Sequence, residues 1–293
     1  MTPAPLYLPA EPTAMRDRRA GTSSTIIGRT REIACRRYGA RLGTTALAEV
    51  VIGIHFTGVR LSSGCCGMAQ TELAKGIDCF TRPSGAESLQ PGHLRGRSVG
   101  RILADDSRQM WLDSLQLAVL NAMSAELLAE TPYRVLENQD PLDLLDPGHL
   151  RAVCLVGAFP SYVRRLAAAG SRLQVLELNP DALPPDFRQY YVPAANAPEI
   201  LPRAETVVIT GSTLANHTLD ELLDLVSPAA RVLVVGPTCS MIPDVLFESG
   251  VQVLGAIRIT DGAGMLRILA EGGSAYNLFP LAARKVCLIN ERT

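Results

Sequence analysis

VCLVG (153–157), LQVLEL (173–178), ETVVIT (205–210), RVLVVG (231–236) and VQVLGAIRI (251–259) decide the reading of the fold. Each is a short apolar run, mostly continuous rather than alternating with polar residues. A strand covered on both faces has no solvent side to mark, so such runs point to a sheet buried between two layers. Helical stretches separate several of them, at 161–169, 218–226, 243–249 and 262–271. Strands that alternate with helices imply right-handed crossovers, and hence a Rossmann-like, doubly wound parallel sheet from about Val153 onward. KVCLIN (285–290) reads as the final strand.

Ahead of this region the pattern differs. TPYRVLENQDPLDLL (131–145), with two prolines, reads as a hinge. Before it, AEVVIGIHFTGVRL (48–61) alternates β-branched and small residues, SSGCCG is a turn-rich break, and MAQTEL follows. Two or three antiparallel strands are expected, at about 48–53, 55–61 and 67–73. A helix is expected over 25–38, a short one over 98–104, and a long one capped by Asp106 or Ser107 and running to about Glu130. In the long one Met110, Leu115, Ala118, Val119 and Ala122 recur at near-helical spacing, which buries one face. The expected organisation is a flexible arm over 1–24, a small α+β front domain over 25–131 and a Rossmann-like domain over 132–293.

Composition fits two α/β domains. The chain has 293 residues, 47% of them hydrophobic, enough for two buried cores. A formal net charge of −1 gives no overall field for nucleic acid or acidic lipid. Eight arginines against three acids within 1–41 make a local basic bias, read as a solvated arm and helix face. No apolar run is long enough to span a membrane, and the N-terminus lacks the basic and apolar regions of a signal peptide. Seven cysteines with no small-domain disulfide spacing read as thiols in a reducing compartment, so a cytoplasmic location is expected.

Open parallel sheets bind ligands beyond the carboxyl ends of their strands. Those ends are Gly157-Ala158-Phe159-Pro160, Glu177-Leu178-Asn179-Pro180, Thr210-Gly211-Ser212-Thr213 with Asn216, Gly236-Pro237-Thr238-Cys239-Ser240, and Thr260-Asp261. Their small, hydroxyl and amide side chains suit an anion or polar cofactor resting on helix N-termini. Glu177 follows Gly157 by 20 residues, the offset of an acid that bonds a ribose. Against ordinary NAD binding, GAFPSY lacks the GxGxxG spacing, and Phe159-Pro160 stands where glycines would admit a pyrophosphate. A nucleoside such as S-adenosylmethionine needs no pyrophosphate turn. The plainer role of Gly157 and Glu177 is to end strands.

Cys65 and Cys66 fall in a turn, where both sulfurs could face one way, with His55 on the adjoining strand and Cys239 at a sheet end. Thiolates with imidazole suit zinc or copper(I). No CxxC or HxxxH pair accompanies them, and the ordinary role of a single cysteine is a small buried hydrophobe. Cys154 and Cys287 sit in apolar strand runs and read as core. His93, His149 and His217 have no sequence partner, and His217 reads as part of a helix start. Lys75 and Lys285 are the only lysines, and neither comes with a phosphate loop, which argues against pyridoxal chemistry. No GxSxG elbow is present.

IGIHFTGVRLSSGCCGMAQT (52–71), GSTLANHTLDELL (211–223), VLVVGPTCSMIPDVLFESGVQVLGAIRITD (232–261) and LAEGGSAYNLFPLAARKVCL (269–288) together resemble the heavy-metal chelation family of bacteria and archaea. The resemblance covers about 48–290. It implies an enolase-N-terminal-like front domain, a Rossmann-like back domain and a cleft between them. It further implies that Gly211, Ser212, Asn216 and Thr218, with Gly236, Pro237, Thr238 and Asp261, line that cleft. Two features depart from the family pattern: Cys239 replaces an expected small hydroxyl residue or proline, and Cys65-Cys66 is richer in sulfur than the usual turn. The expected ligand is a metal ion or metal-bearing small molecule in the cleft, in metal handling or metal-cofactor assembly. The rival is an enzyme with a nucleoside cofactor, and a scaffolding role follows if side chains fill the cleft. No nucleic acid or membrane partner is expected, and a homodimer is compatible with the sequence.

Overall fold

The computed structural model describes residues 25–72, 89–106, 110–130, 133–145, 150–279 and 281–290. The arm over 1–24, Lys75, Ser107 and His149 lie outside them. Helix α1 (Ile26–Tyr38) starts where the Thr25 hydroxyl accepts the Gly28 amide, and it stops at Gly39, whose φ of 56° suits a residue without a Cβ. A single turn, α2 (Arg41–Thr44), leads into β1 (Leu47–Ile52), β2 (Phe56–Leu61) and β3 (Cys66–Gln70), an antiparallel sheet in that order. Ser98 caps α3 (Val99–Leu103), and α4 (Met110–Ala129) follows. In α4 not one face but nearly the whole circumference is buried. Ser114, Leu117, Leu120, Asn121 and Ser124 join Leu115, Ala118, Val119 and Ala122 inside. The reason is its place. The small sheet covers one side, while α1 and a turn of 3-10 helix, Pro237–Cys239, cover others.

The second half forms an eight-stranded sheet from β4 (Val135–Glu137), β5 (Ala152–Val156), β6 (Arg172–Glu177), β7 (Tyr191–Pro193), β8 (Thr206–Thr210), β9 (Arg231–Val235), β10 (Val253–Ile259) and β11 (Ala283–Ile289). The order is β4-β11-β10-β9-β8-β5-β6-β7, with β10 through β7 all parallel. The four runs VCLVG, LQVLEL, TVVIT and VLVVG are thus parallel neighbours, as their burial pattern predicts. The helices are α5 (Pro160–Ala168), α6 (Ala197–Ile200), α7 (Ser212–Ala215), α8 (Leu219–Leu225), α9 (Asp244–Glu248), α10 (Gly262–Ala270) and α11 (Ala275–Leu278). Among the described residues no helix is long and apolar enough to cross a membrane.

Two features depart from a wholly parallel sheet. β11 runs antiparallel to β10 from Ile259↔Ala283 to Val253↔Ile289, and β4, taken from the expected hinge, pairs antiparallel with β11. A parallel return would need α10 to lie back along the large sheet as a crossover. Instead α10 packs on β1 and β2, so closely that a Cβ on Gly58 would lie 2.6 Å from Leu269 Cδ1. The two halves also share one core. A single buried cluster joins Val59 and Leu61 of the small sheet, Leu115 and Met123 of α4, and Val207, Ile209 and Val234 of the large sheet.

A polar clasp closes the same boundary from outside. Arg37 of α1 donates to both carboxylate oxygens of Asp244 at 2.6 and 3.2 Å, and Tyr133 donates to Asp244 Oδ2 at 2.6 Å. The Ile26 amide at the other end of α1 donates to Asp220 Oδ1. Replacing Asp244 with alanine is expected to cost about 1–2 kcal/mol, because partly exposed ion pairs contribute modestly and a bidentate arginine somewhat more. Part of that difference should vanish in high salt, which urea titrations at two ionic strengths would check.

Candidate functional site

Strand order reverses between β5 and β8: β5 leads to β6 and β7 on one side, β8 to β9 and β10 on the other. Connections that leave neighbouring strands in opposite directions open a crevice at the strands' carboxyl ends. Gly157 follows β5 and Thr210 ends β8 at this point. A Cβ at position 157 would lie 2.8 Å from Thr210 Cγ2, and φ there is +102°, so both space and backbone require glycine. Thr210 then donates to Ser212 Oγ at 3.1 Å, and its Oγ1 accepts the Ser212 amide at 3.3 Å.

The small sheet supplies the other wall. Ser212 donates its hydroxyl to Gln70 Oε1, and Gln70 Nε2 donates to Glu72 Oε1 at 3.2 Å. The Gln70 amide donates to Thr238 Oγ1 at 3.0 Å, and the Glu72 amide to Ser114 Oγ at 3.1 Å. A continuous chain of hydrogen bonds therefore runs from the switch point of the large sheet to the end of β3. Its members are only partly buried, apart from Ser114 and Thr238, which lie inside. Burial pushes the Glu72 carboxyl up, against the Gln70 hydrogen bond and the charge of the nearby His217 ring. His217 itself adopts a left-handed backbone, φ 59°, and meets Asp113 Oδ2 through Nε2 at 3.1 Å.

The carboxyl-end residues divide into those at this seam and those serving local structure. Gly211 and Gly236 form the floor: the Gly211 amide donates to Val235 O, and the Gly236 amide to Gly255 O. Thr213 is buried and donates to Thr210 O at 2.7 Å. Pro237 and Thr238 press on the small sheet, where Asn121 Nδ2 donates to Thr238 O and Met68 O at 2.9 and 2.8 Å. The open interdomain cleft expected over Gly236-Pro237-Thr238 is thus closed there by Gln70 and Asn121. Asn216 accepts the amide and hydroxyl of Thr218 through Oδ1 and stiffens the turn before α8. Phe159 stacks on Tyr162 with ring centres 5.4 Å apart. Asn179 caps a 3-10 turn, and Asp261 caps α10 by accepting the Gly264 amide. Glu177 accepts the amides of Ala158, Leu178 and Asn179, so its carboxylate is committed to the chain's own backbone.

The thiol candidates fit a soft metal ion poorly. Cys66 opens β3, whereas Cys65 stands just before it, with its carbonyl accepting the Leu61 amide. Cys65 lies toward Ser63 and Glu126 of α4, whereas Cys66 meets Gly262 at the start of α10, near Arg60. Burial pushes the Cys66 thiol up to about 11. Cys239 is wholly buried, its sulfur donates to Gly236 O at 3.1 Å, and burial pushes it up to about 12. His55 is exposed in the turn after β1. Thiols that stay protonated make weak ligands. Among the described residues no three or more His, Cys, Asp or Glu side chains gather as a metal group. The expected set of Cys65, Cys66, His55 and Cys239 is therefore not assembled.

Sequence reasoning missed Gln70, Glu72, Ser114 and Asn121. Two signals existed: a polar pair two residues apart at the end of β3, and one amide in a long apolar helix.

Comparison with known proteins adds family context. A family profile described as "Putative heavy-metal chelation" matches residues 140–288, and a second with the same description matches residues 35–124. An uncharacterized protein of Methanocaldococcus jannaschii, MJ0500, is 34% identical over 86 residues, 29% of this chain. That match spans 33% of the length of the curated relative. A protein of unknown function from the DUF364 family of Pyrococcus horikoshii superposes with a TM-score of 0.73 at 20% identity, covering 91% of this chain and all of that one. One from Desulfitobacterium hafniense gives 0.67 at 24% identity, covering 88% and 98%. Both likenesses are of fold.

Proposed function

We propose, for a chain that belongs to the heavy-metal chelation family, that it takes up a metal-bearing small molecule at the switch-point seam and does not hold a bare soft ion on its cysteines. The observation that carries this reading is the donor set. Thr210, Ser212, Gln70 and Glu72 converge from two sheets at the carboxyl ends of β8 and β3, and all offer oxygen or amide groups. Such groups read the polar periphery of a chelate by hydrogen bonds, and the metal travels as cargo inside it. The alternative, a nucleoside-cofactor enzyme with Glu177 on a ribose, would require that carboxylate to exchange three backbone amides for hydroxyls.

Thermal melting with cobalt, presented as the aqua ion and as its citrate and histidine complexes, tests the reading. Binding to the native state raises the melting temperature by mass action. A complex is expected to give a saturable rise, weakened about tenfold in Gln70→Ala/Ser212→Ala, since lost hydrogen bonds are worth roughly 1–1.5 kcal/mol. Cys65→Ser/Cys66→Ser should respond like the wild type. Stoichiometric binding of the aqua ion that this serine pair abolishes would sink the proposal, and so would silence toward both complexes.

A further inference from the structure

At the opposite, amino-terminal edge of the large sheet lies a cavity of about 310 Å³, lined by Ala152, Cys154, Arg172, Gln174, Arg203 and Ala204, with Val153 and Ile200. Its shape follows from register. Ala152 faces Arg172 and Cys154 faces Gln174 across β5 and β6, so alternate residues of both strands share one face. The segment after α6 passes over that face, with Leu201 buried and Arg203 exposed. Ala152, Cys154 and Ala204 are small, and they leave space at this end that Val156 and Leu176 fill farther along the strands.

The lining is cationic and unsatisfied. Among the described residues neither Arg172 nor Arg203 makes a side-chain hydrogen bond or ion pair, and neither does the Gln174 amide. Glu199 and Glu205, nearby in sequence, are exposed and are not among the lining residues. An isolated surface arginine is simply solvated. Two of them lining one concavity, beside a free amide, bring two guanidinium groups to one small volume, and each guanidinium can pair its donors with the oxygens of a carboxylate or phosphate. The volume falls at the low end of small-molecule pockets, about 300–1,000 Å³.

We infer that this cavity is a second binding site, for a small organic oxyanion, and that it acts separately from the switch-point seam at the other edge of the sheet. Carboxylate and phosphate share the chemistry, so citrate and pyrophosphate are the two probes, each titrated calorimetrically into the wild-type chain. One of them is expected to bind saturably at one site, and which one does so identifies the class. Arg172→Ala and Arg203→Ala should each weaken that binding tenfold or more, and Arg172→Lys less, since lysine keeps the charge but loses the paired donors. Both arginines are exposed, so the variants should keep the wild-type melting temperature and circular dichroism. Absence of saturable heat with either probe would overturn the inference. Equal affinities in wild type and in the Arg172→Ala/Arg203→Ala double variant would overturn it too.

Discussion

Gly67→Val is expected to destabilise the chain by on the order of 3 kcal/mol, the upper range for overpacking a tight interior. A Cβ at position 67 would lie 2.3 Å from the Ala122 amide nitrogen and 2.4 Å from the Ala118 carbonyl oxygen. Both neighbours are helix backbone, so no side chain can swing aside to make room. Strand β3 and helix α4 would have to separate, and the buried cluster that joins both sheets runs through that contact. Gly43 supplies the control. Nothing lies within 4 Å of a Cβ there, so Gly43→Ala should be neutral or stabilising by up to about 1 kcal/mol. Guanidinium denaturation of the two variants checks the contrast. Similar midpoints would mean that the helix is not seated on the strand as described.

Asn121→Leu, nearly isosteric, should cost a comparable amount, on the order of 3 kcal/mol, for a different reason. The Asn121 amide serves Met68 O of the small sheet and Thr238 O of the large-sheet loop at once. Leucine keeps the branched shape, with bulkier methyl ends, but leaves two buried carbonyls without donors, each worth roughly 1–3 kcal/mol. Hydrogen exchange offers a second readout, because loosening should centre on β3 and on 236–240, where this amide joins the halves. A loss below about 1 kcal/mol would mean that other donors reach those carbonyls.

How legible all this was from the sequence depends on the range of the forces involved. Continuous apolar runs such as VCLVG and VLVVG announce burial on both faces, which is why the parallel sheet could be read directly. The β4–β11 pairing was not readable, because VLE is three residues long and its partner lies at the far end of the chain. The switch point was half visible. Gly157, Thr210 and Ser212 advertise a strand end, but Gln70 and Glu72 come from another sheet, and nothing local signals that they meet it. The cysteine pair misled for a simpler reason: the turn ends between them, so that Cys65 lies toward Ser63 and Glu126 while Cys66, already in β3, meets Gly262.

The antiparallel closure of the large sheet also bears on how the protein is made. A ribosome delivers residues 133–138 well before the segment they must pair with, so β4 waits through the emergence of every parallel strand. Until β11 arrives, the outer edge of β10 is also open, with its amides and carbonyls free to join a neighbouring chain. Strand β11 thus acts as a latch, drawn across the sheet after the parallel strands have emerged, that seats the connecting segment and covers the open edge of β10 in one motion.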